Sequence, residues 1–281
     1  MVKGRLGEGI KMILEEEIRN AEQGSIGAMC RIGDYYYQKI RNEGYENEYE
    51  NMALKYYKMA AEREELYGMY RFIEIGNISA KVELSFAYQI GIQTATKRCE
   101  EVYSIAEKTL NFIEKYGSEN EEMINRGMVL YQFYMASYYL AICYYFIKSE
   151  REAGRLLSRI DKQDIGVQAK LLLALSIFIG ENDFSRHQEV YDLLLELENN
   201  IEFAETEKME IEETVYASAA LLLSHYCRGN FLNLTPDLDK AVEVLNFVKS
   251  HLKREDEKKN IENELRRYHK KLFGGYKYVN D

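Results

Sequence analysis

The first place to look for chemistry is His225 and Cys227, an imidazole and a thiol two residues apart. Such a pair could supply half of a metal site or a Cys–His nucleophile. On a helix, residues two apart point to different faces, so neither arrangement closes. His187 falls within an apolar pattern and is expected to pack or cap, while His251 and His269 lie in a highly charged, solvated stretch. Adjacent carboxylates such as Glu100-Glu101 and Glu212-Glu213 read as wet helix surface. A carboxylate metal centre in a helical protein needs Glu-x-x-His spacings on facing helices, and the chain contains no Glu-x-x-His. It also lacks a Cys-x-x-Cys pair, a Gly-rich phosphate loop and a Gly-x-Ser-x-Gly elbow. The expectation is no catalytic residue, no metal and no cofactor: not an enzyme.

The other chemistry-bearing residues are rings. The chain holds 24 tyrosines and no tryptophan, with runs at Tyr35-Tyr36-Tyr37 and Tyr56-Tyr57. Such runs could stack on nucleic-acid bases. A net charge of −10 opposes that, because phosphates and anionic membrane faces call for a basic surface. Packing between helices is the expected use of the rings, with hydroxyls kept near water. Cys30, Cys99, Cys143 and Cys227 are far apart among apolar residues and are expected to be reduced. The apolar run Leu171 to Ile179 is too short to span a bilayer, and Glu15-Glu16-Glu17 interrupts any leader-like start. A cytoplasmic location is expected, with no nucleic-acid and no membrane partner.

Those rings must be held by helices. A single proline, Pro236, disfavours a turn-rich β fold. Residues 8–23 read as a helix with Ile10, Ile13, Leu14 and Ile18 on one face, ending before Gly24. Helices are then predicted near 26–40, 48–63, 66–75 (stopping at Gly76-Asn77), 79–91 and 95–116. Ser118 to Glu121, Ser149 to Glu152 and Ser185 to Gln188 have capping-box spacing, and Thr235-Pro236-Asp237 offers another start. These place further helices near 119–147, 149–160, 164–180, 185–198, 204–229 and 236–270, with no alternating strand competing.

The helices repeat a pattern. Ala28, Ile32, Gly33 and Tyr36 define offsets that recover Ala80, Leu84, Ser85 and Tyr88, then Ala136, Leu140, Ala141 and Tyr144. The same offsets recover Ala169, Leu173, Ala174 and Ile177, then Ala219, Leu223, Ser224 and Cys227. The residue after the Leu/Ile position is always Gly, Ser or Ala, which permits close helix approach. Second helices register on Ala53, Cys99, Ala153, His187 and Ala241, each followed three residues later by Tyr56, Val102, Leu156, Val190 or Val244. One such pair cannot bury both faces, so it asks for neighbours of its kind.

These residues resemble the Sel1-like repeat, a relative of the tetratricopeptide repeat. Ala28, Ile32-Gly33 and Tyr36 match its first helix; Met52-Ala53, Tyr56-Tyr57 and Ala60-Ala61 match its second, and Asp237, Lys240 and Ala241 match its start in the last unit. The middle units are degenerate, and the usual Gly-rich inter-helix loop is missing from most. The resemblance implies an all-α fold, a right-handed α–α superhelix of about five degenerate helix pairs. It implies a single domain over 1–281, with an N-terminal helix (1–24), degenerate pairs (25–235) and a last repeat helix, capping helix and aromatic tail (236–281). It further implies a scaffold or adaptor whose concave groove holds a protein or peptide segment. The groove positions carried over are Asp34, Tyr37, Gln38, Phe86, Gln89, Ile142, Tyr145, Phe146, His225 and Arg228, with Tyr138 beside them and Leu175 and Phe178 in the fourth unit. Asp34 and Arg228 are the expected polar anchors. A peptide-responsive sensor and a homodimer pairing its tyrosine-rich faces remain alternatives. The tail from Lys271 to Val279, broken by Gly274-Gly275, is expected to cap the last repeat or to dock a partner.

Overall fold

The computed structural model describes residues 2–43, 47–86, 88–116, 124–147, 149–160, 166–180, 184–199, 209–232, 234–272 and 274–279, with backbone alone for 2–11, 47, 88, 89, 184, 198 and 199. Through these residues the chain is helical up to Leu265 and ends in a small two-stranded sheet. The helices are α1 (Val2–Glu22), α2 (Ile26–Glu43), α3 (Asn47–Ala61), α4 (Leu66–Ser85), α5 (Tyr88–Tyr116) and α6 (Arg126–Phe146). They continue as α7 (Glu150–Leu157), α8 (Val167–Gly180), α9 (His187–Leu194), α10 (Glu196–Asn199), α11 (Glu210–Cys227), α12 (Leu238–His251) and α13 (Glu255–Leu265). Among the described residues, no helix is long and apolar enough to cross a membrane. Packing groups the chain into two compact units, Met1–Val82 with Ala95–Tyr139, and Glu83–Thr94 with Leu140–Asp281.

In the first unit, α1 ends where predicted. Gly24 takes a left-handed φ of 98°, its N–H donates to the Ala21 carbonyl at 2.9 Å, and the Ser25 N–H donates to the Asn20 carbonyl at 2.9 Å. This crossed pair closes the helix end with the one residue type that adopts that φ freely. The Ser25 hydroxyl then accepts from the Ala28 N–H and starts α2. Leu14, Ile18 and Ala21 of α1 pack on Ala28, Met29 and Ile32, whereas Ile13, expected on that face, is 61% exposed. Gly33 meets α3 so closely that a Cβ there would lie 2.6 Å from the Tyr57 ring. The predicted helix stop at Gly76-Asn77 does not occur. Gly76 instead lets α4 approach Val102 of α5, where a Cβ would lie 2.3 Å from a methyl. Buried Asn77 donates from Nδ2 to the Gln132 carbonyl and Oε1 of α6, at 2.9 and 2.8 Å. Tertiary partners thus override a local stop signal.

The helices predicted at 79–91 and 95–116 are likewise redrawn, since α4 runs to Ser85 and α5 begins at Tyr88. Gly91 lies inside α5, and the Glu83 carbonyl comes too close for any Cβ there. The aligned set Ala80, Leu84, Ser85 and Tyr88 therefore crosses a helix break, and Ser85 is exposed. The other framework positions behave as drawn: Ala53, Cys99, Ala153, His187 and Ala241 are buried, as are Tyr56, Val102, Leu156, Val190 and Val244. Burying a side chain of Val or Leu size contributes about 2 kcal/mol.

In the second unit, α8 packs on α7, α9 and α11, while α11 packs on α12 and α13. The capping expectations fare unevenly. Ser149 stands at the N-cap of α7 without a side-chain capping bond, and the N-cap of α9 is Arg186, because Ser185 belongs to a preceding 3-10 turn. The box at Ser118 lies outside the described residues, as does the start predicted at 119. Asp237, rather than Thr235, caps α12 by accepting from the Lys240 N–H at 2.9 Å. An unpredicted bond from the Met209 N–H to Glu212 Oε2, at 2.9 Å, starts α11.

The helix expected over 236–270 is broken twice. Glu213 of α11, 2% exposed, accepts the N–H groups of Lys253 and Arg254, both at 2.8 Å, and so opens the chain between α12 and α13. The acidic first turn Glu255-Asp256-Glu257 then suits the α13 dipole. Beyond α13 the expectation of helix or irregular tail gives way to antiparallel strands β1 (Tyr268–Lys270) and β2 (Tyr276–Tyr278), with Tyr268 opposite Tyr278. Gly274 and Gly275, at φ 90° and 69°, make the turn.

Candidate functional site

Asp34 and Tyr37, both from α2, meet in one polar network in the first unit. The Tyr57 and Tyr67 hydroxyls each donate to Asp34 Oδ1 at 2.6 Å. Arg71 Nε donates to the Tyr67 hydroxyl at 3.1 Å, and its Nη1 pairs with Glu74 at 2.7 Å. The guanidinium lies 5.0 Å from the Tyr37 ring centroid and 5.3 Å from that of Tyr67, within cation–π range. Burial, then the bond to Asp34, pushes the Tyr57 phenol well above its ordinary pKa, so it stays a donor. The network ties α2, α3 and α4 together, and Asp34 is half-buried within it.

His225 and Arg228 come together differently, around a recess in the second unit. The last turn of α11 is closed by Gly229, with a φ of 79° and its N–H on the Tyr226 carbonyl at 2.8 Å. That turn presents His225, Arg228 and Asn230 to the recess; Pro236 and Leu238 at the start of α12 form a second wall. The C-terminal hairpin supplies the third wall, with Arg267, Lys271, Tyr276, Lys277 and Tyr278. The recess is open to solvent, with a volume of about 570 Å³.

The hairpin is held there by charge and rings. The Val279 N–H donates to the Arg267 carbonyl at 3.0 Å, and Tyr268 meets Tyr278 edge-on with centroids 5.0 Å apart. The Arg228 guanidinium sits 4.0 Å from the Tyr278 centroid. Its side chain is only 7% exposed and is paired with Glu264, equally buried, at 3.1 Å from Nη1, a contact without hydrogen-bond alignment. Glu264 also accepts from Arg267 Nη1 at 3.3 Å. Arg228 Nε is buried and has no hydrogen-bond partner. The His225 pKa is lowered by burial first, and then by Arg228 and Arg267, so the ring is neutral near pH 7. Behind it, Phe231 stacks on His225 and His187, and His187 Nδ1 lies 2.7 Å from the Tyr226 hydroxyl. His187 is thus a packing histidine, as its spacing suggested.

The remaining groove positions are scattered. Gln38 is exposed on α2, and Phe86, 62% exposed, falls in the bend between α4 and α5 rather than on a helix. The Gln89 side chain lies outside the described residues. Tyr138 is buried against the Tyr139 ring, Ile142 is buried, and Tyr145 is half-buried edge-on to Phe146. Leu175 is buried, while Phe178 joins the ring cluster around His187 and Phe231. Sequence reasoning marked the tail from Lys271 to Val279 as a cap or docking element but missed its hairpin form and its place beside His225 and Arg228. The signal was present, since Tyr-x-Tyr at 276–278 follows a glycine pair.

Two other recesses differ in character. One of about 410 Å³ on α12 is lined by Asp237, Asp239, Lys240, Glu243 and Phe247, and one of about 240 Å³ lies between Ile13, Leu14, Ile32 and Tyr35. No group of three or more His, Cys, Asp or Glu among the described residues is placed to hold a metal ion. Comparison with models of protein families, with curated proteins and with solved structures finds no match to this chain.

Proposed function

We propose that this chain is a cytoplasmic interaction scaffold, a right-handed superhelix of about five degenerate helix pairs of Sel1-like or tetratricopeptide type, which holds a segment of another protein. The observation that carries this reading is the preformed recess where His225 and Arg228 meet the C-terminal hairpin, walled by rings and lined by cations. A recess of this kind offers ring surface for burial and polar groups to set orientation, the division of labour found in segment-binding sites. The tight Gly33–Tyr57 and Gly76–Val102 approaches are consistent with it, since they keep neighbouring helices in fixed register. Affinity then rests on a few partly buried rings, with Tyr276 and Tyr278 foremost.

The test is crosslinking of the full chain, used as bait in extract of its own cells, with an amine-reactive reagent and mass-spectrometric mapping. Partner peptides joined to Lys271 or Lys277, and lost from a Tyr276→Ala bait that keeps its circular dichroism, are the expected result. A dimeric mass with crosslinks only between copies of this chain would replace the scaffold with a homodimer.

A further inference from the structure

The recess has a sign opposite to that of the chain. Arg228, Arg267, Lys271 and Lys277 line it, and the carboxylate paired with two of them, Glu264, is buried. Among the described residues the lining includes no Asp or Glu, although the Asp239 carboxylate stands close to the turn at Gly275. Four cations against two carboxylates, Glu264 and the Asp239 carboxylate beside the hairpin turn, leave an excess of about two positive charges around the recess. A group carrying a single charge would leave half of that excess uncompensated. A phosphate offers up to two charges and three oxygens that accept from several donors at once.

The buried Arg228 gives the site its fixed point. Its guanidinium is held by Glu264 and by the Tyr278 face, and its Nε is buried without a hydrogen-bond partner. Arg267 is half-exposed, whereas Lys271 and Lys277 are exposed on the hairpin. The volume, about 570 Å³, exceeds what a bare phosphate ion fills, and Pro236, Leu238 and Tyr276 furnish apolar and aromatic wall for whatever carries it.

We infer that the recess between the end of α11, the start of α12 and the C-terminal hairpin is a binding site for a phosphate group. In the scaffold reading, on which the identity of the carrier rests, that group is a phosphorylated side chain of the bound segment. The phosphate accepts from Arg228, Arg267, Lys271 and Lys277, while the carrier lies on Tyr276 and Leu238.

Calorimetric titration of the full chain tests this with three probes: inorganic pyrophosphate, a phosphoserine peptide flanked by Gly and Tyr, and the same peptide unphosphorylated. At low salt, where exposed charges are least screened, the phosphopeptide is expected to bind with a Kd below about 1 mM. The unphosphorylated form should bind at least tenfold more weakly. A Lys271→Glu/Lys277→Glu variant should lose at least tenfold for both phosphorylated probes. A charge-matched control, Lys55→Glu/Lys108→Glu, alters two exposed lysines of the other unit and should lose little. Binding of pyrophosphate at the recess without binding of the phosphopeptide supports the phosphate site and refutes the protein-segment reading. Equal binding of both peptides refutes the phosphate site and leaves the segment reading standing. No binding of either phosphorylated probe, or equal weakening by both double variants, overturns the inference.

Discussion

Gly33→Ala probes the packing of α2 on α3 with a single methyl group. A Cβ built at Gly33 would lie 2.6 Å from Cε1, 2.8 Å from Cδ1 and 2.8 Å from Cζ of Tyr57. Carbon atoms at rest stand about 3.5–4.0 Å apart, so something must move by roughly 1 Å. The ring has little freedom to do so: Tyr57 is fully buried, and its hydroxyl donates to Asp34 at 2.6 Å. Overpacking of this kind costs about 1–3 kcal/mol. Displacing the ring also weakens a hydrogen bond to a charged group, worth about 1.5–3 kcal/mol. Against these stands a gain of about 1 kcal/mol, because alanine is the better residue in a helix interior. The net expectation is a loss of about 2–4 kcal/mol.

Urea unfolding followed by circular dichroism reads the loss as a lower midpoint. A double-mutant cycle with Tyr57→Leu supplies the decisive comparison. Without the ring, the added methyl has room, so Gly33→Ala should then cost nothing or stabilise by its helix-propensity gain of about 1 kcal/mol. If Gly33→Ala is as stable as the parent, or costs the same in both backgrounds, close approach at Gly33 is not what holds α2 against α3.

Glu213→Ala should destabilise the second unit by about 3 kcal/mol or more, because it removes two charge-assisted bonds and leaves two helix-start N–H groups without their acceptor. Hydrogen exchange should show faster exchange at Lys253, Arg254 and the start of α13; unchanged protection there would remove Glu213 as the cause of the α12–α13 break. The Cys30 thiol, pushed up to about 11 by burial first and then by the Glu65 and Asp34 carboxylates, should react with iodoacetamide about a hundredfold more slowly at pH 8 than a thiol at its ordinary 9.0. Because the folded value is the raised one, its contribution to stability is complete below pH 9 and lost as pH rises through about 11. Labelling as fast as that of an unhindered thiol would refute this.

Much of the helical order was readable because it rests on short-range signals. Gly24 ends α1 by its own φ, and the Ala53 and Ala241 positions are buried because helical spacing puts them on one face. The failures share one physical cause. Gly76-Asn77 reads as a stop because its partners, Val102 and Gln132, lie far along the chain. The α12–α13 break is set by Glu213, some forty residues earlier, with nothing in 252–254 to announce it. Capping boxes failed for a related reason: spacing permits the bond at Ser149, but the backbone around it does not form it.

The recess exposes a limit in reasoning from net charge. A total of −10 argues against a partner made of phosphates, and for an extended polyanion the argument holds. A single phosphate group, however, feels the charges within a Debye length of it, about 8 Å at physiological salt, and not the chain total. Helix spacing brought His225 and Arg228 to one end of α11, but the cations that complete the recess arrive on a hairpin whose strands are three residues long. Strands that short carry almost no alternation, so their contribution was invisible as periodicity. The sign of the site is therefore a tertiary property: it exists because Gly274 and Gly275 turn the second strand back, setting Tyr278 on Arg228 and bringing Lys277 to the recess.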